Sequence, residues 1–540
     1  MKLTFIGADH EVTGSCHFLE AAGMNILIDY GMEQGKNIYE NMPLPVRPAD
    51  IDYVFLTHAH IDHSGNLPLL AIGGFTGQIF ATPATCDLCD IMLLDSAGIQ
   101  EFEAEWRNRK GKRKGDAPYI PYYTTADAER ILQHFVEVPY GIVQEICPGI
   151  KIRFNDVGHL LGSAAIEVWV EEEGIRRKLV FSGDVGNSNQ PLVKAPVMIE
   201  DADYVIIEST YGDRSHSPRT DYVSQLAEVI QRTFDRGGNV VIPFFAVGRT
   251  QEMLYFIRQI KEQGLIRGHE DFEVYMDSPL ALNATNIFNE HTADCFDEEA
   301  QKLLQAGINP ISFPGLRHTT TSDESKEINF DNRPKIIISA SGMCEAGRIK
   351  HHLKHNLWRS DSTILFVGYQ AEGTLGRKLV EGAKEVKLFH EPIAVAAEIC
   401  QLPGISAHAD REGLVEWARG FHEKPLKCFV VHGEDTVTDI FAGVLKEKLG
   451  WDTMAPYSGT VYDLAANVCE KETTGIPFVK RDAEGNAIVP KERVSTPYLR
   501  LEKTAERLLS IIHANKGLAN KDLAKFADQL NALCDKWDRW

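Results

Sequence analysis

Short apolar runs broken by turns fill the first two hundred positions. MKLTFIGA, CHFLEAAG, MNILIDYG and IDYVFLTH alternate β-forming residues with glycine and polar stops. Asn25–Asp29 and Tyr53–Thr57 read as strands buried on at least one face, each closed by a polar residue. A helical stretch is expected around Thr85–Arg107, then strands at Lys151–Phe154, Ala164–Val170, Lys178–Phe181 and Tyr204–Glu208. From about Thr210 the pattern changes. SQLAEVIQRTFDRGG is an amphipathic helix closed by glycine, and NVVIPFF is a buried strand. The alternation recurs through FEVYMDS, PKIIISAS and STILFVGY, which predicts a parallel-sheet α/β domain. Near Glu385 the strand-rich style returns with EVKLFH, AEICQLPG and CFVVHGE, so the first domain is expected to enclose the second. The expected bounds are 1–209 and 385–470 for the enclosing domain and 210–384 for the insertion. Residues 471–497 read as a linker or loose hairpin. Beyond Pro497, residues 498–540 hold two helical patterns parted by Gly517. Leu501, Ala505, Leu508 and Ile512 line one, and Leu523, Phe526, Leu530, Leu533 and Trp537 line the other. Two roles stay open for this extension: docking on its own body, or pairing with a second copy as a homodimer.

The chain has 540 residues, room for two or three cores, and a formal net charge of −21. That charge excludes holding nucleic acid by bulk attraction, so a polyanion would have to meet a local patch. The opening MKLTFIGADHEVTGS lacks a basic region followed by an apolar run, and no stretch reaches about 18 uncharged apolar residues. A cytoplasmic protein with no membrane partner is the expectation. The ten cysteines are scattered and read as reduced thiols; Cys86 and Cys89, a lone C-x-x-C, are expected as partly buried thiols at a helix start.

The densest chemistry lies at Thr57-His58-Ala59-His60-Ile61-Asp62-His63-Ser64-Gly65. His58 and His60 sit two apart at a strand end and can point to one side, while Asp62 and His63 fall in the next turn. Three imidazoles and a carboxylate in six positions suit a borderline cation such as Zn²⁺. His159 in DVGHLLGS and Asp184 in SGDVG stand at later strand ends and gain weight as further ligands. An Asp between two cations is a natural bridge.

In these motifs the chain resembles the metallo-β-lactamase fold superfamily, and within it the β-CASP branch that processes nucleic acids. The lactamase-fold signatures occur in order: Asp29 after an apolar strand, the His58–His63 block, His159, Asp184 and a late histidine. β-CASP signatures follow in Glu208 of ESTYG, His408 of SAHAD, His432 of VHGE, and the segments PFFAVGRTQE and SASGM. The resemblance covers roughly residues 1–465. It implies an αββα sandwich with an inserted parallel-sheet α/β domain, extended at the C-terminus by helices.

The resemblance further assigns two Zn²⁺ per chain: one to His58, His60 and His159, the other to Asp62, His63 and His432, with Asp184 bridging both. Asp29 would fix the ligand loop, His408 would be the general acid for the leaving oxygen, and Glu208 would orient and charge it. The implied activity is hydrolysis of RNA to a 5′-phosphate and a 3′-hydroxyl, because the RNA-acting members carry histidine at the position of His432. The chain looks most like prokaryotic relatives of the endonuclease subunit of the cleavage and polyadenylation specificity factor. It looks less like RNase J, since Ser406-Ala407-His408-Ala409 departs from S-G-H-A. Endonucleolytic cutting is expected, with 5′ exonuclease activity open.

Contacts to single-stranded RNA are expected from the small-residue turn at Ser341 and Gly342, which can offer N–H groups to a phosphate, and from Arg249, either a backbone clamp or an ion pair. Arg107, Arg109, Lys110, Lys112, Arg113 and Lys114 form a basic run near Tyr119, Tyr122 and Tyr123. That run is either an RNA rim contact or a solvated loop paired with the acidic helix before it. His351, His352 and His355 are expected to face the cleft or pack a helix. Rival readings are a DNA nuclease, a hydrolase of small esters, thioesters or lactones, and a non-catalytic RNA-binding subunit.

Overall fold

Alternate residues of the central strands are buried on opposite sides, and this two-sided burial dictates a layered molecule. In a computed structural model, Ile26 and Ile28 enter one apolar core while Leu27 enters another. Leu179, Phe181, Tyr204, Ile206, Phe429 and Val431 likewise face the first core, and Val180, Val205, Ile207, Cys428 and Val430 face a third. A side-chain period of two therefore turns nearly continuous apolar runs into strands covered on both faces. The structure describes residues 1–478 except 36–37, 113–114, 116, 189, 217–220, 369, 372 and 403–405, and residues 504–537 except 506, 510 and 518.

Two sheets enclose the first core. One has eight strands in the order Val468–Lys471, Val461–Asp463, Lys2–Gly7, Cys16–Ala21, Met24–Ile28, Tyr53–Phe55, Gln78–Ala81 and Phe135–Glu137. The other has seven: Thr453–Met454, Lys427–Val431, Tyr204–Glu208, Ile175–Phe181, Ala164–Glu172, Ile150–Asp156 and Gln144–Cys147. Leu67, Leu70, Leu88 and Leu93 of helices Leu67–Ile72 and Pro83–Gly111 cover the outside of the first sheet. Leu414, Trp417, Phe441 and Leu445 of helices Arg411–Ala418 and Asp435–Leu449 cover the second. The order is αββα, as the resemblance implies.

The inserted sheet is wholly parallel, with strand order Leu316–His318, Glu273–Met276, Lys335–Ser339, Val240–Pro243, Thr363–Val367 and Glu398–Leu402. Helices Tyr222–Asp235 and Arg249–Glu262 pack on one face, and Ile349–Asn356 and Leu375–Val380 on the other. Its last strand lies beyond residue 384: AEICQLPG, read from sequence as part of the returning domain, pairs with Thr363–Val367 from Thr363↔Glu398 to Val367↔Leu402. Parallel pairing joins strands distant in sequence, so this membership is not written locally.

Cys86 and Cys89 are buried in the opening turns of helix Pro83–Gly111, and all ten cysteines are free. No helix among the described residues is long and apolar enough to cross a membrane. Residues 1–477 form one compact unit and 478–540 a second, which contains helix Asn520–Trp537. Leu501, the side chain of Trp537 and most of the expected 471–497 linker lie outside the described residues.

Candidate metal centre and cleft

Strand Tyr53–Phe55 ends at the ligand segment, whose backbone is clamped on several sides. Ser15 N–H donates to the Asp62 carbonyl (2.8 Å), Tyr30 N–H to that of His63 (2.8 Å) and Met32 N–H to that of Ile61 (2.9 Å). Gly31 permits this approach, because a Cβ there would lie 1.6 Å from the Asp62 oxygen. The clamp points four side chains of one short segment into a single space.

Asp29 works from behind the ligands. With a left-handed φ of 58°, it accepts from Thr57 N–H and from Thr57 Oγ1, each at 2.8 Å, and holds His63 Nδ1 at 2.7 Å. That bond fixes the His63 tautomer and leaves Nε2 free for a cation. Thr57 Oγ1 also meets His58 Nδ1 at 3.1 Å, and Thr210 Oγ1 meets His432 Nδ1 at 3.2 Å. Thr57 and Thr210 were not singled out in the sequence; only their place beside predicted ligands could have marked them.

The donor atoms form two cages that meet at Asp184. In the first, His60 Nδ1 lies 3.1 Å from His58 Nε2 and 3.2 Å from His159 Nε2, and Asp184 Oδ2 lies 3.5 and 3.4 Å from those same two nitrogens. Four donors about 2.0–2.1 Å from one zinc ion stand about 3.3–3.4 Å apart in a tetrahedron, so this cage has the right size. In the second, His63 Nε2 is 3.1 Å from His432 Nε2 and 3.3 Å from Asp184 Oδ1, and Asp62 Oδ2 is 3.7 Å from His432 Nε2. All seven residues are brought together, with one carboxylate oxygen of Asp184 in each cage.

The electrostatics fit a metal centre. Burial and neighbouring imidazoles push His58 and His159 well below the usual histidine range, which keeps them neutral as ligands must be. Burial alone would lower His63 too, but Asp184 and Asp29 raise it well above that range, so a cation there would displace a proton. Burial alone would raise Asp184, but His432, His63 and His408 hold it well below the usual carboxylate range. Asp184 Oδ1 and His159 Nδ1 are buried without a hydrogen-bond partner. A buried carboxylate oxygen left in that state is costly unless a cation faces it.

His408 stands at the edge of the cages. Its Nδ1 lies 3.2 and 3.3 Å from the two Glu208 oxygens and 3.9 Å from Asp184 Oδ2. Glu208, buried at the end of strand Tyr204–Glu208, also accepts from Val185 N–H at 2.6 Å and Thr210 N–H at 3.2 Å. Burial alone would lower the His408 pKa, but Glu208 and Asp184 raise it to about 9. A half-buried imidazole that holds its proton beside a fixed carboxylate is equipped to give it up.

A cleft of about 570 Å³ opens at His408, walled by Tyr211, Phe245, Arg249 and Gly342 among others. Arg249 is also paired with the buried Glu252 at 2.7 Å, which is the ion-pair role of the two expected for it. Ser341 Oγ is bonded to the Ala346 carbonyl at 3.4 Å. Arg109 and Lys110 do not line this cleft. Arg109 faces Glu105 at 3.8 Å, Arg107 faces Glu103 at 2.5 Å, and Lys110 lies over the Trp106 ring at 3.6 Å. These are the pairs to the preceding acidic residues that the solvated reading names, made on a helix that continues to Gly111 and not in a loop; Arg113 and Lys114 lie outside the described residues.

His352 packs a helix: it is buried, bonded to Asp277 Oδ2 at 2.6 Å and to Asn329 at 3.0 Å. Sequence reasoning missed His216, whose Nε2 reaches the His408 carbonyl at 3.0 Å and whose N–H donates to Asp410 Oδ2 at 2.8 Å. Its nearness to ESTYG was the one local signal.

Three family models match the chain: "Metallo-beta-lactamase superfamily" over residues 11–77, "Beta-Casp domain" over 250–379, and "Zn-dependent metallo-hydrolase RNA specificity domain" over 392–456. Among curated relatives, Ribonuclease TTHA0252 of Thermus thermophilus is 35% identical over 438 residues, covering 81% of this chain and 94% of that protein. Transcription termination factor FttA of Methanocaldococcus jannaschii is 30% identical over 470 residues, and that of Methanosarcina mazei 31% over 467; each match covers 84% of this chain and 70% of the relative.

Proposed function

Given that the chain belongs to the β-CASP branch of the metallo-β-lactamase superfamily and is a metal-dependent hydrolase, we propose that it is a zinc-dependent ribonuclease that cuts single-stranded RNA endonucleolytically. The observation that carries this reading is the Glu208–His408 pair, set beside two donor cages that share Asp184 and opening on the cleft. A hydrolase of activated small esters has no need of a charged acid for its leaving group; a phosphodiester, which expels a basic sugar oxygen, does. RNA is supported by the RNA specificity model, whose span includes His408 and His432, and by the name of the Thermus thermophilus relative.

His58, His60 and His159 would hold one zinc ion, Asp62, His63 and His432 the other, and Asp184 both. Two zinc ions bound there supply charge neutralisation at the scissile phosphate and a lowered pKa for the attacking water. The chain's own residues do the rest. Asp29 and Thr57 keep His63 and His58 in their ligating tautomers. Glu208 holds His408 Nδ1–H, so the proton that His408 donates is on Nε2, and it passes to the departing 3′-oxygen. The products are a 5′-phosphate and a 3′-hydroxyl.

Matched internally labelled RNA and DNA oligonucleotides, with a panel of small esters and lactones, test the reading on the zinc-loaded protein. Internal RNA fragments with DNA and esters untouched are expected. Mononucleotides alone would replace endonuclease by exonuclease; cleavage confined to DNA or to esters would replace the substrate class.

A further inference from the structure

We propose that Phe245 is the stacking platform for one unpaired nucleobase adjoining the scissile linkage. This rests on the ribonuclease reading and specifies how the same site selects a single strand.

Strand Val240–Pro243 delivers two consecutive phenylalanines to the cleft rim with opposite fates. Phe244 is buried at 4% exposure and packs into the core, whereas Phe245 is 51% exposed and lines the cleft that holds His408. The exposure is built in. Thr250 Oγ1 donates to the Phe245 carbonyl at 2.7 Å and fixes the backbone where helix Arg249–Glu262 begins. Gly342 then lies close against the ring: a Cβ there would come within 3.0 Å of Cε2 and 3.1 Å of Cδ2. The ring is thus backed by a residue with no side chain, and about half of Phe245, at the cleft wall, is left exposed.

The rest of that wall mixes polar groups, among them Tyr211, His216, Arg249 and Gln401, with apolar ones such as Met343 and Leu402. A large apolar ring kept open among such groups forgoes the burial that its neighbour Phe244 obtains. The flat face of a nucleobase restores it. Every base has such a face, so the contact tolerates any sequence, yet it requires the nucleotide to leave its stack and its partner strand. A fixed aromatic face and a fixed proton donor in one cleft therefore read two neighbouring features of one substrate, an unpaired base and the linkage beside it.

The test uses an RNA oligonucleotide with one mapped cut and a series in which each nucleotide around the cut is replaced in turn by an abasic one. The zinc-loaded full chain is assayed as wild type, Phe245→Leu and Phe245→Trp, reading kcat/KM for each substrate. One abasic position is expected to slow wild type about five- to a hundredfold. Phe245→Leu should lose a similar factor on intact RNA and become indifferent to that one abasic position, while Phe245→Trp keeps both the rate and the sensitivity. Wild type that tolerates abasic sites at every position overturns the proposal, as does Phe245→Leu slowed equally on all substrates. Wild type that leaves every RNA intact overturns the ribonuclease reading itself.

Discussion

Replacing His408 by alanine should separate proton donation from metal chemistry. The imidazole Nδ1 is held 3.2 and 3.3 Å from the Glu208 oxygens, which leaves Nε2 as the donor. General acid catalysis by a positioned histidine contributes about 10²–10⁴-fold, so RNA cleavage should fall by that factor. The loss depends on how basic the departing oxygen is. A sugar oxygen needs the proton; p-nitrophenolate leaves well without it. On the p-nitrophenyl ester of a nucleoside 5′-phosphate, His408→Ala should therefore lose less than about tenfold. Since His408 Nδ1 stands 3.9 Å from Asp184 Oδ2, outside both donor cages, metal content should stay at the wild-type level. Single-turnover rates on both substrates, with elemental analysis of both proteins, decide the matter. Equal losses on the two substrates, or loss of metal from the variant, would refute the assignment of His408 as the acid.

Three further outcomes follow from the geometry. Asp29→Asn removes the negative charge and one of the two acceptor oxygens that serve Thr57 and His63, so zinc affinity should drop about 10–100-fold in a chelator competition, with the fold retained by circular dichroism. His216→Asn loses the bond from Nε2 to the His408 carbonyl, and should slow RNA cleavage more than cleavage of the p-nitrophenyl ester, because it acts through the acid. Asp277→Ala should destabilise the chain by about 3–5 kcal/mol in urea unfolding, since it strands a buried His352 and the Arg348 guanidinium 2.7 Å away. Burial alone would raise the Asp277 pKa, but hydrogen bonds from His352, Ser325 and Thr319 hold it well below the usual range. Its stabilisation is therefore complete above the unfolded value of about 3.9 and is lost as pH falls below it, so the gap between wild type and Asp277→Ala should narrow in acid.

What the sequence made legible was whatever is local. Four ligands fall within six residues after one strand, so strand and turn periodicity alone placed His58, His60, Asp62 and His63 on one segment. Two-sided apolar strands announced covered sheets, and the helix–strand alternation after Thr210 announced a parallel sheet. Distant pairings were harder to read. Glu398–Leu402 looks like any edge strand, and only its register against Thr363–Val367 assigns it to the inserted sheet. The basic run was ambiguous because helical i,i+4 pairing of Arg107 with Glu103 and Arg109 with Glu105 depends on how far the helix continues, and it continues to Gly111. His216 and Phe245 draw their roles wholly from neighbours brought by the fold.

The most direct test follows an internally labelled single-stranded RNA with wild type and Asp184→Asn, measuring metal content on both. Wild type is expected to hold about two zinc ions per chain and to release internal fragments ending in 5′-phosphate, while Asp184→Asn loses both metal and cleavage. Zinc-loaded wild type that leaves the RNA intact, or Asp184→Asn that keeps its metal and cuts at the wild-type rate, would contradict it.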